Sequence, residues 1–99
     1  MKPEEIKEII KAELISVEDM ENVHGVNLTK CLIEPIKQQY LTDNNSEQEL
    51  WTVLEEGSNG YRIFFDEEDK MFGLGMISKD GKLSNVGYNG SFLKTLEGM

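Results

Sequence analysis

Cysteine is almost missing from this chain. Cys31 stands alone, so no internal disulfide can form, and the fold must hold without covalent staples. Proline is nearly as scarce, with only Pro3 and Pro35. No apolar run approaches the ~18 residues that a membrane span needs. The opening "MKPEEIKEII" holds three glutamates and no continuous apolar stretch, so it does not read as a signal peptide. Together with the lone thiol, this predicts a cytoplasmic protein. Histidine occurs once, at His24, too few to build a zinc site with one cysteine unless carboxylates complete it. Positive charge is also thin: 10 lysines and arginines face 19 aspartates and glutamates.

The imbalance is local. Between Asp43 and Asp69 lie nine acidic residues and one basic residue, Arg62, which gives this window −8 of the net −9. Such a field repels phosphate backbones and anionic lipid and attracts basic protein surfaces. Nucleic acid and membrane are therefore not expected partners. Within the window Glu47, Glu49, Glu55, Glu56, Asp66, Glu67, Glu68 and Asp69 are the candidate partner-binding residues. The alternative is that these acids merely keep a small domain soluble.

The 99 residues suffice for one domain with one core. Pro3, Glu4 and Glu5 suit the first turn of a helix, and Ile6, Ile9, Ile10 and Leu14 lie along one of its faces, predicting a helix over residues 3–15. Asn27 reads as the cap of a short helix over Leu28 to Leu32. "PIKQQYLT" suits either a helix face or a strand through Ile36 and Tyr40, and Pro35 at its start favours an edge strand. "LWTVLEE", "YRIFFD", "MFGLGMI" and "LSNVGY" read as further strands, separated by the turns "DNNSEQE", "GSNG", "EEDK" and "KDGK". Short turns between strands imply an antiparallel meander. The expected fold is thus α+β: an N-terminal helix and a short C-terminal helix packed on a four- to five-stranded antiparallel meander sheet. Gly73 and Gly75 leave bare backbone on one face of their strand for a helix or a partner to approach, and one of the chain's own helices is the expected occupant.

Three other stretches bear on chemistry. "DEEDK", Asp66 to Lys70, lacks the spacing and the central glycine of a calcium loop and reads as a solvated hairpin tip. His24 and Cys31 are seven apart, but Gly25 and Asn27 interrupt any helix joining them, and nothing nearby activates the thiol. Glu55 and Glu56 are adjacent on a strand and so point to opposite faces, which argues against a paired-carboxylate hydrolase. Neither a cofactor nor a metal is expected, and the chain does not read as an enzyme.

The C-terminal "VGYNGSFLKTLEGM" is a glycine-rich turn leading into a final helix. Such a turn can cradle an anion on its backbone amides. Tyr88, Asn89, Gly90, Ser91 and Lys94 are therefore the alternative ligand-binding set, for a small anion binder or minor enzyme. The simpler reading is a turn, with Ser91 as the helix cap and Gly98 as its end.

From Leu50 onward, "LWTVLEE", "YRIFFDEEDKMFGLGM" and "GYNGSFLKTLEGM" resemble small, acidic bacterial proteins of uncharacterised function that end GYxGSFLxTLxGM. The resemblance implies a compact α+β bacterial protein and favours binding over catalysis, and it supplies no catalytic residue. The expectation is a non-enzymatic module docking a basic partner protein, like immunity proteins, inhibitors or adaptors. A homodimer through the Pro35 edge strand is a further expectation.

Overall fold

The computed structural model describes residues 1–57 and 60–99. The elements run α1 (Pro3–Leu14), α2 (Leu28–Cys31), β1 (Leu32–Leu41), β2 (Glu47–Glu56), β3 (Tyr61–Asp66), β4 (Met71–Ile77), β5 (Leu83–Gly90) and α3 (Phe92–Glu97). Of the turn expected at Gly57 to Gly60, Ser58 and Asn59 lie outside the described residues.

The expected α+β meander is present, with each strand antiparallel to the next. One feature of the sheet was not anticipated. Tyr40 and Leu41 of β1 pair in parallel with Leu83 and Ser84 of β5, closing the five strands into a small barrel. β1 is thus an edge strand only over part of its length. Pro35 fits this geometry, because it falls at the irregularity between Leu32 and Ile36, where regular pairing to β2 lapses.

The sheet has two apolar faces. On the outside, Trp51, Val53, Leu54, Ile63, Phe65 and Phe72 meet Ile6 and Ile10 of α1, Leu28 of α2, and Phe92 and Leu96 of α3. A bulge at Val53 lets Val53 and Leu54 both join this outer core. On the inside, Tyr40, Leu50 and Phe64 pack with Leu83. The Tyr40 and Phe64 ring centroids lie 5.3 Å apart, and Phe64 meets Tyr88 edge-on at 5.5 Å. The Tyr40 hydroxyl is 2.5 Å from Thr52 Oγ1, which donates in turn to Gln38 Oε1 at 2.6 Å. Burial pushes the Tyr40 phenol up to about 12.

This inner face corrects the expectation for the two glycines of β4, because the atoms nearest the space of their missing side chains belong to other strands and not to a helix. A Cβ on Gly73 would lie 2.4 Å from Phe64 Cζ and 2.6 Å from the Gly87 carbonyl oxygen, and one on Gly75 would lie 2.7 Å from Tyr40 Cε2. The glycines are small because the rings of Phe64 and Tyr40 fill the space inside the curl.

Between α1 and α2 the chain makes a tight turn. Val23 and Val26 exchange backbone hydrogen bonds of 2.9 and 3.0 Å across His24 and Gly25, both at positive φ. Asn27 caps α2 as expected, its side chain accepting from the Lys30 N–H.

Candidate functional site

One end of the barrel carries the Thr42–Ser46 turn between β1 and β2 and the Glu67–Lys70 turn between β3 and β4. Strand pairing brings Glu47, Glu49, Glu67, Glu68 and Asp69 of the candidate set to this end. It does not bring the rest. Glu55 and Glu56 finish β2, about 20 to 30 Å away along an extended strand. Glu55 faces Arg62 across the β2–β3 ladder, with its Oε2 3.7 Å from Arg62 Nε. Glu56 lines a separate groove with His24, Cys31 and Tyr61.

Asp66 is set apart from the other acids by its burial, at 5% exposure. Its Oδ1 accepts from the backbone N–H groups of Glu68 (3.0 Å) and Asp69 (3.4 Å), closing the hairpin turn. Its Oδ2 accepts from the Tyr88 hydroxyl at 2.7 Å and from Gln48 Nε2 at 3.3 Å. Gln48 also donates to the Tyr88 hydroxyl at 2.8 Å and accepts from Asn85 at 3.2 Å. The network pins the Tyr88 ring at the mouth of the barrel. The Tyr88 phenol is raised, first by burial and then by its bond to Asp66.

Two carboxylates at this end are already neutralised. Glu67 Oε1 accepts from the Trp51 indole N–H at 3.0 Å and lies 3.2 Å from Lys37 Nζ, and its Oε2 is 3.4 Å from the Met1 amino group. These donors, Trp51 first and Lys37 next, hold its carboxyl at about 2. Lys37 also stands 3.6 Å from Glu49 and 5.2 Å above the Trp51 ring. Its pKa is raised, chiefly by the bond to Glu67. Trp51 itself is buried, a core residue with its polar edge on this network. What remains is Glu47, Glu68 and Asp69, with Asp43 beside them, all exposed. Among the described residues, no ion pair reaches any of these four.

Next to them an open groove of about 650 Å³ runs between the Thr42–Ser46 turn and β5. Asp43, Glu47, Gln48, Asn85, Val86 and Tyr88 are among its lining residues, and among the described residues no lysine or arginine lines it. Val86 and Tyr88 are large exposed side chains on this strand.

The glycine-rich turn of the alternative set is divided. Tyr88 belongs to the barrel mouth. Gly90 has a positive φ of 92°, and Ser91 caps α3, accepting from the Lys94 N–H at 3.1 Å. The next amides are taken too: Phe92 and Leu93 donate to the two oxygens of Glu13, each at 3.0 Å. The turn does cradle an anion, and the anion is the chain's own carboxylate from α1. Lys94 bonds to Ser91 through its backbone N–H.

At the other end, His24 Nε2 is 3.7 Å from Glu97, and Cys31 is half-buried with its thiol pKa raised, first by burial and then by Glu56. A raised thiol is a poorer nucleophile at neutral pH. Among the described residues, no group of three or more histidine, cysteine and carboxylate side chains gathers as a metal site.

The roles of Lys37, Gln48, Asn85 and Glu13 are not legible in the sequence. The role of Asp66 had a signal: an aspartate opening a turn commonly accepts from the amides two and three residues on. Glu13 had none, since its partners lie 79 and 80 residues away. Comparison of the chain with protein-family models, with curated proteins and with solved structures found no match.

Proposed function

We propose that this chain is a non-enzymatic binding module whose acidic barrel end docks a basic partner protein, in the manner of an immunity protein, inhibitor or adaptor. The observation that carries the reading is the residual charge at that end. Lys37 is spent on Glu67 and Glu49, while Asp43, Glu47, Glu68 and Asp69 stay exposed and unpaired among the described residues. Four such carboxylates on neighbouring turns attract a cationic surface and raise its rate of encounter. The reading narrows the acidic window to one face, since Asp66 is buried and Glu55 and Glu56 lie at the far end.

The small-anion reading has less to rest on. Its amide donors are satisfied by Glu13, and a new anion would have to displace a tethered one. The homodimer reading gains no specific observation.

The test compares wild type with the triple variant Glu47→Lys, Glu68→Lys, Asp69→Lys as bait in extracts of the chain's own cells. Raising the salt from about 0.01 M to about 1 M shortens the screening length from roughly 30 Å to roughly 3 Å. Wild type is expected to retain a basic protein at low salt and release it at high salt, and the variant to lose at least about tenfold in affinity for it. Identical capture by both baits would remove the proposal.

A further inference from the structure

The barrel is closed by only two residue pairs, and beyond Ser84 strand β5 runs on without a β1 partner, because β1 ends at Leu41. From Asn85 to Gly90 its outer edge therefore carries backbone groups that no neighbouring strand pairs among the described residues. Sheet edges of this kind are normally blunted by charge, by proline or by a covering element. The open part of β1 follows that rule, with Glu34, Pro35 and Lys37 on it. β5 does not. Its sequence, LSNVGYNG, holds no charged residue and no proline, and it presents Val86 and Tyr88 to solvent at 54% and 38% exposure. Instead of a cover, it has the groove of about 650 Å³ at its side.

We infer that this groove takes an extended, basic segment of the partner protein, which adds as a short strand to the outer edge of β5. The inference rests on the basic partner proposed above and adds the place and the mode of its binding. Three features select the occupant. The unpaired backbone of β5 offers main-chain hydrogen bonds to any extended chain. The exposed side chains of Val86 and Tyr88 give apolar contact, and the Tyr88 ring is held in place by Asp66 and Gln48. Asp43 and Glu47 also line the groove and set negative charge beside the added strand, with no cation among the described lining residues to offset it. The same charge disfavours a second copy of this chain, which would bring its own −9 and its own Asp43 and Glu47 to the interface. The bulges of β5 at Val86 and Asn89 set the length: regular pairing is interrupted at both, so the added strand is short.

The probe is an N-acetylated, C-amidated peptide alternating lysine and valine, with an alternating glutamate and valine peptide as control. Both are titrated into the nitrogen-15-labelled chain to about 1 mM, the range of weak complexes. The lysine peptide is expected to shift the amides of Val86, Gly87, Tyr88 and Asn89 and to slow their hydrogen exchange at least about tenfold. The double variant Asp43→Lys, Glu47→Lys is expected to weaken that binding at least about tenfold, and the glutamate peptide to produce no shift. Both substituted positions are exposed, so the variant's fold is checked simply by its circular dichroism. Shifts around Glu67 to Lys70 without slower exchange along β5 would refute strand addition and leave the basic-partner reading standing. A lysine peptide that moves no amide would overturn both. Sedimentation of wild type as a dimer with the β5 amides already protected would overturn the choice of occupant.

Discussion

Gly73 is a core residue in all but side chain. The space a Cβ would take belongs to Phe64 on one side and to the Gly87 carbonyl on the other, and the backbone oxygen cannot swing away. Gly73→Ala is expected to cost about 1–3 kcal/mol, the usual penalty for overpacking a dense interior. Gly98→Ala is its control. Gly98 ends α3 at φ −80°, and its new Cβ would meet nothing closer than 3.5 Å, so the change should stay within about 0.5 kcal/mol. Urea unfolding of both variants reads the difference directly, and equal midpoints would mean that the ring packing is looser than described. The spacing of the two glycines on one face of β4 was legible in the alternation of the strand. What fills that face was not, because Phe64 and Tyr40 reach it only through the curl of the sheet.

At the scale of elements, the contact between α1 and α3 carries the most information. A six-residue helix is too short to hold itself together, and α3 is secured by burying Phe92, Thr95 and Leu96 and by the carboxylate of Glu13 on its first amides. Glu13→Ala is expected to lower stability by about 1–2 kcal/mol, since two N–H groups lose a charged acceptor. Hydrogen exchange should show the loss concentrated in α3. A uniform loss across the sheet would mean that Glu13 supports α1 alone. The helices and strands themselves were largely readable. Pro3 and the isoleucine spacing marked α1, Asn27 and Ser91 marked their caps, and alternation marked β3 and β4. β2 begins three residues before its expected start, because Glu47, Gln48 and Glu49 are polar and look like turn until β1 is there to pair with them.

For the whole molecule the decisive quantity is charge, and Glu67 shows how folding redistributes it. Its carboxyl sits at about 2 in the fold against an ordinary 4.5, so the stabilisation it brings is complete above about 4.5 and disappears as the pH falls through about 2. Unfolding midpoints of wild type and Glu67→Gln, measured across this range, should differ most above 4.5 and converge near 2. A difference that does not change with pH would mean that the loss in the variant is one of packing. The acids read as one block along the chain from Asp43 to Asp69. The fold sorts them into a buried turn-former (Asp66), two ion-paired carboxylates beside Lys37 (Glu49 and Glu67), a distant pair on the end of β2 (Glu55 and Glu56), and an exposed remainder at the barrel mouth.

Element order, the caps of α2 and α3, the turns at Thr42–Ser46 and Glu67–Lys70 and the excess of negative charge are legible in the sequence, because these depend on residue type and on neighbours a few positions away. Tertiary structure alone decided that the meander closes on itself, that Glu13 lies on the amides of α3, and that Lys37 neutralises Glu67. Each of these joins residues about 30 to 80 positions apart, and no local periodicity records which distant groups a twisted sheet will bring within reach.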